Sequence, residues 1–115
     1  MHELGIVFHI IKEVKEIAEE NACSRISRVV MEIGEVSTIV PYYLEDCWKW
    51  AVAKDDGIMR GCELSINILD AVTHCDACGQ DYPTVKYGKV CPCCGSDRTW
   101  LLQGNEVQIK QIEVE

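Results

Sequence analysis

The sequence predicts an α+β fold: two helices on a three-stranded sheet, with a small cysteine-bearing module inserted between the last two strands. Three observations predict it. An apolar stripe at helical spacing opens the chain, three later segments alternate apolar and polar residues, and two CxxC pairs sit between the second and third of those segments. The resulting order is helix, strand, helix, strand, insert, strand. It places residues 1–72 plus 105–115 in one domain and residues 73–104 in the other.

The first helix is expected over residues 4–20. Leu4, Val7, Phe8, Ile11, Val14 and Ala18 recur at three- and four-residue steps and line one face, while Lys12, Glu13, Lys15, Glu16, Glu19 and Glu20 fill the rest. Asn21 is a reasonable stop. A strand follows over 25–36, with Val29, Met31 and Ile33 on one face and Arg28, Val30 and Glu32 on the other, until Gly34-Glu35 breaks the run. Pro41 suits the first position of a second helix, 41–54, because the N–H it lacks has no partner there. Leu44, Cys47, Trp48 and Ala51 form its expected buried face. Val40, just ahead, is a poor N-cap, having no side-chain acceptor for the free N–H groups. After the Asp55-Asp56-Gly57 turn, residues 62–72 read as the second strand, with Leu64, Ile66 and Ile68 alternating against Glu63, Ser65 and Asn67. Residues 105–114 read as the third. Val107 and Ile109 alternate with Gln108 and Lys110, and a change of phase at Ile112 and Val114 predicts a bulge or an edge position.

The insert carries Cys75-Asp-Ala-Cys78-Gly79 and, twelve residues later, Cys91-Pro-Cys-Cys94-Gly95. A CxxC turn brings two thiolates together, and two such turns facing each other offer the four soft ligands of a tetrahedral zinc ion, about 2.3 Å from each sulfur. Gly79 and Gly95 supply the backbone freedom that the chain needs just past the second sulfur, and Pro92 stiffens the second turn. The expectation is a zinc ribbon with rubredoxin-like knuckles, its ligands Cys75, Cys78, Cys91 and Cys94. Such a site is closed and structural. Cys93 could exchange with Cys94, but the Cys91-to-Cys94 spacing repeats that of the first pair. Cys23, Cys47 and Cys62 are expected to pack as small apolar side chains.

The eight cysteines do not read as a secreted disulfide framework, because half of them form metal-type pairs and no export signal precedes them. No apolar run approaches the ~20 residues that span a bilayer. A cytoplasmic location is expected. Formal net charge is −8, and within residues 73–104 Lys86, Lys89 and Arg98 only balance Asp76, Asp81 and Asp97. A nucleic-acid-associated or transcription-type zinc ribbon, the competing reading, needs a clustered positive surface that this module lacks. There is no Ser-His-Asp set, phosphate loop or open metal site with a nearby base, so a binding protein is expected and not an enzyme.

His2 raises a second metal site. The Met1 amine and the His2 amide nitrogen form a five-membered chelate, the His2 imidazole closes a six-membered ring, and Glu3 can fill a fourth place through its amide or carboxylate. Planar nitrogen and oxygen donors suit Ni(II) or Cu(II), with copper the tighter binder by the usual order. His9 and His74 carry no such pattern, although His74 could support the zinc site from outside its ligands.

Met1-His2-Glu3 at the start of the chain, Ile33-Gly34-Glu35 at a strand end, the late CxxC pairs and Gly104-Asn105-Glu106 ahead of the last strand together resemble the HypA/HybF family, hydrogenase nickel-incorporation proteins. The resemblance covers essentially the whole chain. It implies a nickel metallochaperone that works with the GTPase HypB and delivers Ni(II) to the large-subunit precursor of NiFe-hydrogenase, with Met1, His2 and Glu3 as nickel ligands and Cys75, Cys78, Cys91 and Cys94 as zinc ligands. Some relatives place an aspartate just before the second helix, where this chain has Val40; Glu3 or Glu35 is then left to supply any further oxygen. A homodimer is compatible with the sequence, which leaves the oligomeric state open.

Overall fold

The computed structural model describes residues 3–55 and 57–115. In chain order the elements are α1 (Glu3–Glu20), β1 (Ile26–Gly34), α2 (Pro41–Ala53), β2 (Glu63–Leu69), β3 (Val72–Cys75), β4 (Asp81–Pro83), α3 (Thr84–Tyr87), β5 (Thr99–Gln103) and β6 (Val107–Val114). Two three-stranded sheets form, ordered β2-β1-β6 and β4-β3-β5. The chain divides into two compact units. One holds Met1–Glu32, Ile39–Asn67 and Gln108–Glu115; the other holds Ile33–Thr38 and Ile68–Val107.

In the first unit α1 packs along α2. The core is drawn from Ile6, Val7, Ile10, Val14 and Ala18 of α1, Leu44, Trp48, Ala51 and Val52 of α2, and Ile26, Val29 and Met31 of β1. The stripe on α1 differs from the expected one in phase: Phe8 is 51% exposed, and Ile6 and Ile10 are buried instead. Residues 6–11 are apolar nearly all round, so helical periodicity fits two neighbouring faces, and packing against α2 selects one. Phe8 sits at the margin and meets Trp50 edge-on, with ring centroids 6.3 Å apart.

The ends of the helices follow from their local chemistry. Past α1 the Cys23 N–H reaches Ala18 O (2.9 Å) and the Ala22 N–H reaches Glu19 O (3.2 Å), the paired bonds of a Schellman turn. Ala22 takes the left-handed conformation there, at φ 53°. At α2, Val40 gives no side-chain cap and Pro41 occupies the first turn, as expected. The buried Trp48 donates its indole N–H to Cys62 O at 2.9 Å. After α2, Asp55 accepts from Gly57 N–H (2.8 Å) and pairs with Lys15 of α1 (2.6 Å). That hydrogen bond with Lys15 holds the Asp55 carboxyl below its ordinary pKa. On β1, Arg28 pairs with Glu63 (2.8 Å), and Glu32 accepts from Gln108 (2.9 Å). Edge strand β6 loses strict alternation where expected, with Ile112 and Glu113 both half-buried.

The expected strand over 62–72 is in fact two strands in two sheets, broken at Asp70-Ala71. Side-chain pattern does not reveal the break, because apolar Leu69, Ala71 and Val72 prolong the run. Contacts within the second unit impose it: Ala71 N–H donates to Glu35 Oε1 (2.8 Å), and Ala71 O accepts from Thr84 N–H (3.1 Å). Around this point the backbone is tightly clamped. Gly34 N–H bonds Glu106 O (2.8 Å), Glu35 N–H bonds Leu69 O (2.8 Å), and Val36 N–H bonds Gly104 O (2.9 Å). A Cβ on Gly34 would lie 2.0 Å from Gly104 C, and one on Gly104 would lie 2.6 Å from Ala71 Cα. Only glycine permits that approach.

Candidate metal centre

The second unit is built on antiparallel pairing of β3 with β4 and with β5, in the registers Thr73↔Tyr82 and Thr73↔Leu101. β3 ends at Cys75, where the first knuckle begins. Cys75 N–H bonds Gln80 O (2.9 Å) and Gly79 N–H returns to Cys75 O (2.8 Å). The second knuckle repeats the pattern, with Cys91 N–H to Ser96 O (3.0 Å) and Gly95 N–H to Cys91 O (2.9 Å). Gly79 and Gly95 both adopt left-handed backbone, φ 76° and 74°, which explains a glycine immediately after each CxxC. Two copies of one local turn thus present four sulfurs to a common point.

The Sγ atoms of Cys75, Cys78, Cys91 and Cys94 all lie within 4.8 Å of one another. Cys75 and Cys94 are 3.6 Å apart at Sγ, as are Cys78 and Cys91. A tetrahedral zinc–thiolate centre sets its sulfurs about 3.8 Å apart, so the donor set and its spacing fit zinc. Cys93 is exposed and stands outside the group. Backbone N–H groups of Cys94 and then Cys93 bring Cys91 down to about 6. Cys78 rises to about 12: the Gln80 N–H favours its thiolate, but burial and the neighbouring sulfurs outweigh that bond. Cys94 is also raised, the Ser96 N–H being overcome by burial and by the sulfurs of Cys75 and Cys91. Four thiols this close cannot all ionise unless a cation shares their charge.

Beneath the knuckles Cys75, Cys91 and Tyr82 form a small buried cluster, and Tyr82 donates its hydroxyl to Gly88 O (2.8 Å). His74 precedes Cys75, so its side chain lies on the opposite face of β3. There its Nδ1 sits 2.6 Å from Asp81 Oδ1, and its ring tilts against Trp100 with centroids 5.4 Å apart. Trp100 in turn donates its indole N–H to Asp76 (3.0 Å). Among the described residues the four cysteines are the one cluster with the makings of a metal site.

A profile of the family described as hydrogenase/urease nickel incorporation, metallochaperone, hypA matches residues 1–114. The chain belongs to the HypA family. It is 32% identical over 115 residues to hydrogenase maturation factor HypA 1 of Bradyrhizobium diazoefficiens, covering all of both chains. It is 36% identical to the HypA of Trichodesmium erythraeum, covering all of this chain and 96% of that one. In three dimensions it is similar to the nickel metallochaperone HypA from Helicobacter pylori, with TM-score 0.73 and 26% identity over 99% of this chain and 97% of that one.

Of the nickel ligands suggested by the HypA resemblance, Met1 and His2 lie outside the described residues. Glu3 is the first residue of α1 and half-buried. Val40 offers no donor atom, and the Glu35 carboxylate is engaged with the Ala71 N–H. Sequence reasoning missed Asp46 and Cys47 as neighbours of this end of the chain: with Leu4 and Trp50 they line a mostly apolar groove of about 270 Å³. Their spacing in α2 carries no metal pattern, and only the packing of α2 beside the start of α1 brings them there.

Proposed function

We propose that this protein is a nickel metallochaperone, which binds Ni(II) at its N-terminal end and delivers it to the large-subunit precursor of NiFe-hydrogenase in the cytoplasm. The whole-chain match to the HypA family is the observation that carries this reading. Nickel is the cargo. Its ligands are the Met1 amine, the His2 amide and imidazole nitrogens, and Glu3, a nearly planar set that suits Ni(II). Ligands at a chain terminus can be withdrawn one at a time, which suits a carrier that must release what it binds. The GTPase HypB is the proposed partner in delivery, and the protein acts by binding and transfer rather than by a reaction of its own. No helix among the described residues is long and apolar enough to cross a membrane.

The resident metal is proposed to be zinc, held by Cys75, Cys78, Cys91 and Cys94. Four thiolates leave no coordination place for substrate, so this ion holds structure.

The test is metal titration of the zinc-loaded protein. One equivalent of Ni(II) should bind, more tightly as pH rises, because the amide nitrogen and the imidazole must give up protons. His2→Ala should abolish that binding while zinc stays in place. A residue added ahead of Met1 turns the amine into an amide and should weaken binding nearly as much. A tagged protein with unchanged stoichiometry and spectrum would overturn the terminal chelate.

A further inference from the structure

The two knuckles share a backbone pattern but not its surroundings. In Cys75-Asp76-Ala77-Cys78 and Cys91-Pro92-Cys93-Cys94 the flanks of the first cysteine correspond, His74 to Val90 and Asp76 to Pro92. At both places the first knuckle is tied to the sheet. Asp76 N–H donates to Arg98 O at 2.9 Å, whereas Pro92 has no N–H to donate. Asp76 Oδ1 accepts the indole N–H of Trp100 at 3.0 Å, and a proline ring has no acceptor atom to match it.

His74 is pinned through Nδ1 by Asp81 at 2.6 Å, and its Nε2 stands 3.7 Å from Asp76. Its register partners are Asp81 on β4 and Trp100 on β5, so the three side chains form a row across one face of the sheet. Asp76 closes the row. Val90, the counterpart of His74, is apolar and 54% exposed. Among the described residues, the side-chain bonds near the second knuckle fall outside the turn itself. They run from Thr99 Oγ1 to Lys89 O (2.7 Å) before it and from Arg98 N–H to Ser96 Oγ (3.1 Å) after it. Exposure does not separate the two turns, because each buries its first cysteine, Cys75 or Cys91, and exposes its last, Cys78 or Cys94.

Four thiolates leave zinc no free coordination place, so a chelator gains entry only as a thiolate gives way. A detached thiolate returns fastest where its backbone is held, because its local concentration at the metal stays high. We propose that metal exchange in this chain is one-sided: Asp76 and Trp100 are positioning residues that keep the first knuckle on the ion, and ligands leave from the second knuckle, Cys94 first. Within that knuckle Cys91 is buried and its sulfur accepts the N–H groups of Cys93 and Cys94, which leaves exposed Cys94 the freer of the two. This order rests on the proposed zinc ligation and adds to it the side from which an incoming chelator acts.

Zinc content of the full chain is measured first. The zinc-loaded protein is then given EDTA together with iodoacetamide, and alkylated cysteines are mapped by peptide mass over time. Cys93, outside the group, should be labelled at once and serves as the reference. Among the four ligands Cys94 should be labelled before Cys78, a result that needs no variant. Asp76→Pro copies the second knuckle and removes both ties, so it should abolish that order and speed zinc loss about tenfold. Trp100→Phe loses only the indole bond and should act in the same direction, by about threefold. Asp76→Asn keeps an acceptor for the indole and should hold order and rate near the wild type. General loosening of the unit would speed labelling of all four cysteines and leave their order alone, so the order is the decisive readout. A zinc-bearing chain in which Cys78 is labelled as early as Cys94, or an order that survives Asp76→Pro, would overturn the proposal and leave the ligands standing. A chain that holds no zinc would overturn both.

Discussion

The two units of this chain solve the same problem with different materials. The helix–sheet unit hides large side chains: Trp48, Leu44, Met31 and Met59 are almost wholly buried, with Val14 and Val29 beside them. The cysteine unit has no such store. Its buried cluster is Cys75, Cys91 and Tyr82, while Val85, Tyr87, Val90, Trp100 and Leu102 remain in contact with solvent. A segment of this size with so few buried groups needs a cross-link, and the four facing sulfurs supply the place for one. The first unit is therefore expected to tolerate loss of metal, and the second is not.

The strongest way to break that contrast is to remove the metal. Chelation, or Cys91→Ser, should disorder residues 72–103 and leave the helical circular dichroism of α1 and α2 largely in place, since metal affinity there is folding energy on the order of 10 kcal/mol. Uniform unfolding of both units on chelation would refute it. Next in size are single changes aimed at one unit. Leu44→Ala should cost the first unit about 2–5 kcal/mol in denaturant melts, with zinc content unchanged. Gly34→Ala, whose new methyl would overlap the Gly104 carbonyl carbon, should cost more than about 3 kcal/mol; a near-neutral result would show that the clamp can open.

A smaller effect is expected from pH. The folded state holds Asp55 below its ordinary pKa through Lys15, so the ion pair stabilises above the unfolded value of about 3.9 and is lost as pH falls through the folded one. With Lys15 partly exposed, the pair should contribute only about 0.5–1 kcal/mol. Asp55→Asn should flatten the acid limb of the stability curve by that amount. Smallest of all is Cys93→Ser, which should alter neither metal content nor melting. Zinc loss there, with retention in Cys94→Ser, would reverse the choice of ligand.

Legibility in the sequence followed the range of the interactions. The knuckles could be read because the backbone of each is a local motif: the Cys75 N–H reaches no further than Gln80 O, and Gly79 closes back on Cys75. The two helices could be read because periodicity and Pro41 are also local. Long-range constraints were invisible. Nothing near Ala71 says that a strand must stop there, because its partners Glu35 and Thr84 lie 36 and 13 residues away in the chain. Nor does anything near Gly34 announce Gly104. The phase of α1 failed for a related reason: only the partner helix distinguishes Phe8 from Ile10. The whole-chain resemblance reached what local physics could not, namely the family, through short motifs scattered from residue 1 to residue 106.

The placement of the three tryptophans gives the molecule separate optical reporters. Trp48 is buried with its indole bonded to Cys62 O, an environment that shifts emission toward the blue. Trp50 lies half in solvent with the Lys54 ammonium 3.7 Å from its ring centre, and Trp100 leans on His74 in the other unit. Excited together, they emit from different surroundings, and only Trp100 belongs to the cysteine unit. A spectrum recorded while metal is withdrawn therefore follows both units without any label: Trp100's share of the solvent-exposed emission moves with the sulfurs, while Trp50's share and the blue component keep time with the helix–sheet unit.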